Sequence, residues 1–232
     1  MDSWLDPVKT EISLNNGFVL LTIIATKGST PCTNGDKIVF TKNENSFGSI
    51  GGGNLEYKAL AFAKEMLDQK MNTRQLVKYP LGATLGQCCG GYVKVLFESF
   101  IDDDEGLSHN NSWIEQVSML YKKGEDFILA TIIDIDKKNH SSTQKCIYTN
   151  NNFHSSLGNK KLSNFIEESA SNLMQSSQSP TVVEFEDDSE TKAQVLLEKV
   201  NSSEVLPVVV FGAGHISRAL MPILINLPIK LY

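Results

Sequence analysis

The chain has 232 residues, of which 41% are hydrophobic, enough for one large or two small domains with a substantial core. Lys and Arg number 21 against 27 Asp and Glu, a formal net charge of -6, and no basic cluster is present; this excludes a nucleic-acid surface, which must displace counterions from phosphates. The opening Met1-Asp2-Ser3-Trp4-Leu5-Asp6 lacks a basic stretch leading into an apolar run, and the densest apolar segment, Phe18 to Ala25, falls far short of the ~20 residues of a membrane span. The expectation is a cytoplasmic protein with no membrane and no nucleic-acid partner.

In chain order, Phe18 to Thr26 is continuously apolar and rich in β-branched residues, which predicts a buried strand ending at Lys27-Gly28-Ser29-Thr30-Pro31. Lys37 to Thr41 predicts a second strand, and Asn43-Glu44-Asn45 a hairpin turn into Ser46 to Ile50. Gly51-Gly52-Gly53 stops the pattern. Asn54 is expected to cap the following helix, whose apolar positions Leu55, Ala59, Phe62, Ala63, Met66 and Leu67 recur at helical spacing. A glycine loop feeding a helix N-terminus favours an anionic group there, so Gly51, Gly52 and Gly53 are candidate ligand contacts. Glu56, one turn in, reads as a complement to the helix dipole rather than as a catalytic group.

Gln75 to Tyr79 and Tyr92 to Phe97 predict strands joined by a loop that carries Leu85-Gly86-Gln87-Cys88-Cys89-Gly90-Gly91. Adjacent thiols between glycines suit a ligand that approaches the sulfurs closely; two small hydrophobes in a buried turn are the alternative. The four cysteines, Cys32, Cys88, Cys89 and Cys146, show no C-x-x-C pair, which argues against zinc, and a reducing compartment leaves them as thiols. Asp102 to Glu105 reads as a solvated acidic turn, Trp113 to Tyr121 as an amphipathic helix, and Phe127 to Ile135 as a strand. Lys137 to Ser142 reads as polar loop. Cys146 to Thr149 and Thr181 to Phe185 are weaker strands flanking a helix near Leu162 to Met174. His109, His140 and His154 lie in polar stretches without metal or proton-relay spacing. No internal repeat is evident, and a domain boundary is expected near 187 to 204.

Leu206 to Phe211 predicts an apolar strand running into Gly212-Ala213-Gly214-His215, with a helix over Ile216 to Ile225. Strand, glycine turn and helix match the phosphate-binding entry of a Rossmann unit, which makes Gly212, Gly214 and His215 candidate contacts. Ser217 stands at the third glycine position. The acidic residue expected ~20 positions on is not reached before Tyr232, so a truncated unit that cannot complete a parallel sheet is expected. The fold expectation is therefore α/β: an N-terminal mixed domain over 1–190, followed over 205–232 by the first strand, turn and helix of a Rossmann-like domain.

Three segments in order, Ala25 to Pro31, Phe47 to Glu56 and Leu81 to Gly91, together with the terminal Val208 to Leu220, resemble the XdhC/CoxI family of xanthine dehydrogenase accessory proteins. The resemblance implies a chaperone, not an enzyme. Such a protein binds the molybdenum cofactor, favours its sulfurated form and hands it to xanthine dehydrogenase or a related molybdenum hydroxylase. A cysteine desulfurase partner and a homodimer are implied in the same way. A molybdopterin carries a phosphate, a dithiolene, a pterin and a softly ligated metal. On this expectation the glycines at 51–53 donate to the phosphate, Gln87 pairs with the pterin, and Cys88 or Cys89 offers thiolate to molybdenum or its sulfur, with Gly90 and Gly91 giving access. Cys32 stands where relatives more often carry Arg; it removes a cation and offers a third thiol. The rivals are an NAD(P)-dependent oxidoreductase using Gly212, Gly214 and a cysteine at substrate, and an interaction module without a small-molecule ligand.

Overall fold

The computed structural model describes residues 4–71, 73–82, 90–101, 112–135, 144–176, 180–188, 191–200, 206–225, 227 and 229–232. Helix α1 (Leu5–Ser13) leads into β1 (Phe18–Lys27), β2 (Lys37–Thr41) and β3 (Ser46–Gly48); α2 (Gly53–Asp68) follows, then β4 (Arg74–Pro80) and β5 (Tyr92–Phe100). The five strands form one antiparallel sheet in the order β3-β2-β1-β5-β4. Strand β1 is apolar from Phe18 to Ala25, Thr22 excepted, because both its faces are covered there. Val19, Leu21 and Ile23 pack under α2 with its Leu55, Ala59, Ala63 and Met66, while Phe18 and Leu20 face the other way. A bulge between Ile23 and Ala25 resets this alternation.

The chain then repeats the plan. Helix α3 (Ser112–Lys123) precedes β6 (Phe127–Ile135), β7 (Lys145–Tyr148) and β8 (Phe153–His154); α4 (Lys160–Met174) is followed by β9 (Thr181–Glu186) and β10 (Lys192–Val200). The second sheet runs β8-β7-β6-β10-β9, also antiparallel. Strand β6 buries Ile128, Ala130 and Ile132 against Leu162, Ile166, Ala170 and Leu173 of α4. Between the sheets lie Phe18, Leu20, Val39 and Phe100 from the first and Phe127, Leu129 and Ile147 from the second, with Ile24 and Leu96 against Ile133 and Leu196 further along. The core is therefore four layers deep: α2, first sheet, second sheet, α4.

Two expectations are corrected. Residues 192–200, expected within a domain boundary, form β10, which pairs with both β6 and β9. An internal repeat does exist: each half runs helix, three strands, helix, two strands, with the same strand order. It extends to sequence at the buried positions. Phe18 to Ile24 reads FVLLTII and Phe127 to Ile133 reads FILATII; Val95 to Glu98 reads VLFE and Val195 to Glu198 reads VLLE. The register shift falls just after the same Thr-Ile pair in both halves. The repeat escapes a linear reading because only core-facing positions keep it, while the loops differ in length and composition.

A separate two-stranded sheet pairs β11 (Leu206–Val208) in parallel with β12 (Ile229–Leu231), connected through α5 (His215–Leu224). The strand is shorter than the expected 206–211, the helix starts at His215, and a parallel ladder forms where none was expected, because Ile229 to Leu231 supplies the second strand. Among the described residues no helix is long and apolar enough to cross a membrane. The chain is a mixed α/β protein. The acidic run 102–105, the loop 137–142, the turn 201–203, His109 and His140 lie outside the described residues.

Candidate functional site

The three sequence segments that carry the family resemblance meet at one end of the first sheet. Strands β1 and β5 pair there with Lys27 opposite Tyr92, and β4 closes on β5 with Pro80 opposite Tyr92. The neck of the β4–β5 connection is pinned by the Leu81 amide donating to the Gly91 carbonyl at 2.9 Å. Gly91 then packs flat on the loop that leaves β1. A Cβ at Gly91 would lie 2.3 Å from the Lys27 carbonyl oxygen and 2.6 Å from that of Ser29, and one at Gly28 would lie 3.0 Å from the Gly91 Cα. On the other flank, a Cβ at Gly51 would meet Pro31 at 2.8 to 2.9 Å. Loop 28–31 is thus clasped between the glycine bend and the neck of the cysteine-bearing loop. Backbone contact this close admits only glycine.

The glycine bend has its own internal anion. Gly51, Gly52 and Gly53 take φ of 100°, 69° and 63°, a left-handed run that only glycine sustains without strain. Asn54 does not cap α2 as expected; the N-cap is Gly52, without a side-chain cap of its own. Glu56 reaches back instead. Its Oε2 accepts from the Gly52 amide at 3.1 Å, from the Ile50 amide at 3.1 Å and from the Ser49 hydroxyl at 2.9 Å, while the Gly51 amide donates to Ser49 Oγ at 3.2 Å. The dipole role read for Glu56 therefore extends to a specific cap. Two amides expected to bind a phosphate, those of Gly51 and Gly52, are held by the chain's own side chains. An acid in the first turn after a glycine was the sequence signal for this. Glu56→Ala is expected to cost about 1–2 kcal/mol, the range of a lost N-cap, read as a lower unfolding midpoint in urea.

Gly90 is exposed, with nothing among the described residues within 4 Å of a would-be Cβ, and Gly91 is half-buried. Gln87, Cys88 and Cys89, candidate pterin, sulfur and metal contacts, lie outside the described residues; Cys89 is the chain neighbour of Gly90. Among the described residues no group of His, Cys, Asp and Glu is arranged to hold a metal ion. Two exposed cations unmarked in the sequence reading flank the neck: Lys27, opposite Tyr92, and Lys78, whose ammonium sits 3.9 Å over the Tyr92 ring. Gly212 and Gly214, with His215 at the first position of α5, are exposed and lie in the connection between the two strands of the third sheet. His154 is exposed on β8.

Cys32 does not supply a third reactive thiol. Its side chain is buried in the core under α2, and burial, with the Asp36 carboxylate second, pushes the thiol up to about 11. Cys146 is buried beside Ser155, and burial likewise raises it. Both should therefore resist iodoacetamide at pH 8 in the folded protein and react on unfolding, as mass spectrometry would show; modification of folded Cys32 would contradict its burial. The sign of the linkage follows. An unfolded thiol ionises near 8.5, so the folded state holds a proton that the unfolded chain releases. The stabilisation from Cys32 is full below about pH 8.5 and is lost as pH rises through about 11.

No curated protein matches the chain. A crystal structure of a xanthine dehydrogenase from Bacillus halodurans is similar, with a TM-score of 0.63 and 16% sequence identity, over 98% of this chain and 60% of that one. At this identity the likeness shows a shared fold, and the chain spans less than two thirds of that protein's length. The XdhC and CoxI family model matches residues 13–80, the stretch that holds the Gly28 to Pro31 loop and the glycine bend, and over that segment the chain is similar to the XdhC and CoxI family.

Proposed function

We propose that this chain is a cytoplasmic carrier of the molybdenum cofactor: it holds the sulfurated form as cargo and passes it to xanthine dehydrogenase or a related molybdenum hydroxylase, without turnover of its own. The observation that carries the reading is the meeting of loop 28–31, the glycine bend and the Gly90–Gly91 neck at one end of the first sheet. The fit of the cargo is supported by backbone bared at Gly90, by soft sulfur donors in the adjoining loop, and by Lys27 and Lys78 as exposed cations for an anionic group. The bend itself serves as a wall more than as a phosphate nest, since Glu56 holds the Gly52 amide and Ser49 that of Gly51. A cysteine desulfurase partner and a homodimer belong to the same reading.

The test is cofactor retention. Protein co-produced with cofactor biosynthesis should carry molybdenum and pterin, and the Cys88→Ala, Cys89→Ala double variant should lose at least tenfold of both. Equal retention by the double variant would end the reading. The parallel unit of β11, α5 and β12 with its Gly212 to Gly214 turn favours a second reading, dinucleotide binding at that turn. Saturating NAD(H) or NADP(H) would then raise the melting temperature by linkage, and no shift would dismiss it.

A further inference from the structure

The contacts between the two sheets are reciprocal. Lys37, first residue of β2, pairs with Glu198 of β10; Lys145, first residue of β7, pairs with Glu98 of β5 at 3.0 Å. Lys37 lies 5.8 Å over the Trp4 ring and Lys145 4.8 Å over the Trp113 ring. Trp4 and Trp113 stack on each other with centroids 6.4 Å apart. The local details match as well: Thr41 Oγ1 accepts from the Asn45 amide and Thr149 Oγ1 from the Asn152 amide, in the same strand-end turn of each half. When residue i of one unit meets j of the other while j meets i, the interface has the form of a two-fold homodimer.

The loops break that symmetry. Where the first half has a triple-glycine bend capped by Glu56, the second has Asn159, whose Oδ1 accepts from the Lys161 and Leu162 amides, and a Gly158 with nothing among the described residues within 4 Å of a would-be Cβ. Where the first has the long glycine and cysteine loop between its last two strands, the second has a turn in which the Asp187 amide donates to the Thr191 carbonyl and the Thr191 amide to Asp187 Oδ1. These turns are closed by their own side chains. Among the described residues, nothing in them clasps a neighbouring loop through glycine contacts of the kind made by Gly91 and Gly51.

We infer that residues 4–100 and 112–200 are two copies of one unit related by an approximate two-fold axis. The second copy occupies the face where a second subunit would dock, and only the first copy retains a ligand site. The inference deepens the carrier reading in one respect, the identity of the ligand, and rests on it there. Two consequences follow for the full chain: one cargo molecule binds per chain, and any homodimer uses a surface other than the inner faces of the two sheets.

Two measurements test this. The chain contains only two tryptophans, placed at matching positions across the axis, so circular dichroism should show an exciton couplet that Trp4→Phe and Trp113→Phe each abolish. A wild-type spectrum equal to the sum of the two variants less that of the Trp4→Phe, Trp113→Phe double variant would overturn the pseudo-symmetric packing. Titration with molybdenum cofactor released from a molybdoenzyme should reach about one per chain. Gly91→Ala should weaken it at least tenfold, and Gly158→Ala with Asp187→Asn should leave it unchanged. Two bound per chain, or loss of binding through the second-copy variant, would overturn the assignment of the site to the first copy. No binding by any form would instead overturn the carrier reading, with the tryptophan couplet still deciding the duplication.

Discussion

Gly91→Ala is expected to lower stability by about 3 kcal/mol, the upper end of the usual range for overpacking, whereas Gly90→Ala should stay within about 0.5 kcal/mol of wild type. The two adjacent glycines differ only in what surrounds them. A methyl at Gly91 would press into the carbonyl oxygens of Lys27 and Ser29, at 2.3 and 2.6 Å, and both belong to backbone. Moving them displaces the end of β1 and loop 28–31, so the cost is paid where the candidate site is built. Among the described residues, a methyl at Gly90 meets nothing within 4 Å. Urea unfolding of the two variants side by side is the measurement. Equal midpoints would show that the neck does not press on loop 28–31 and would remove the geometric basis of the site.

Lys145→Met should be comparably severe, at about 3–5 kcal/mol, because it strands the Glu98 carboxylate in a closed interior. The ammonium and carboxylate have side-chain exposures of 2% and 1%, and Lys145 also donates to Thr131 Oγ1 at 2.8 Å. Burial pulls its pKa below the ordinary lysine value, and the Glu98 charge opposes that pull. Replacing both partners, Lys145→Met with Glu98→Leu, should recover part of the loss: the stranded carboxylate is gone, but buried Arg74, which faces Glu98 across the β4–β5 ladder, loses a counter-charge and keeps Asp134. The reciprocal Lys37–Glu198 pair is less enclosed, at 8% and 11%, and Lys37→Met should cost less. A double-mutant cycle should show strong coupling within each pair and weaker coupling between the pairs, since Lys145 also feels the charges of Glu198 and Lys37. Coupling confined to the wrong partners would contradict the arrangement of the two sheets.

Much of the secondary structure was legible because its cause is local. The continuous run from Phe18, the spacing of Leu55, Ala59, Ala63 and Met66, and the strand from Phe127 to Ile135 each state their burial in their own composition, and each appears with nearly the expected bounds. What was missed was weakly patterned or relational. Residues 192–200 follow an acidic stretch and mix Lys, Gln and Glu into the strand. Glu198 looks like a surface residue until its partner Lys37 arrives from the other end of the chain. Cys32 sits beside a candidate ligand loop in sequence, yet its side chain turns into the core under α2. Glu56 announced its interest in the helix end, but not that it would take the amides of Ile50 and Gly52 for itself.

The sequence alone determined the elements and the segments that matter: apolar periodicity sets which residues must leave water, and glycine marks where backbone must bend or be approached. Only the tertiary structure decided that loop 28–31, the glycine bend and the Gly90–Gly91 neck meet, and that two similar halves face each other through crossed ion pairs. Those facts rest on contacts between residues far apart in the chain. Their geometry follows from strand register and sheet stacking, which no local pattern encodes.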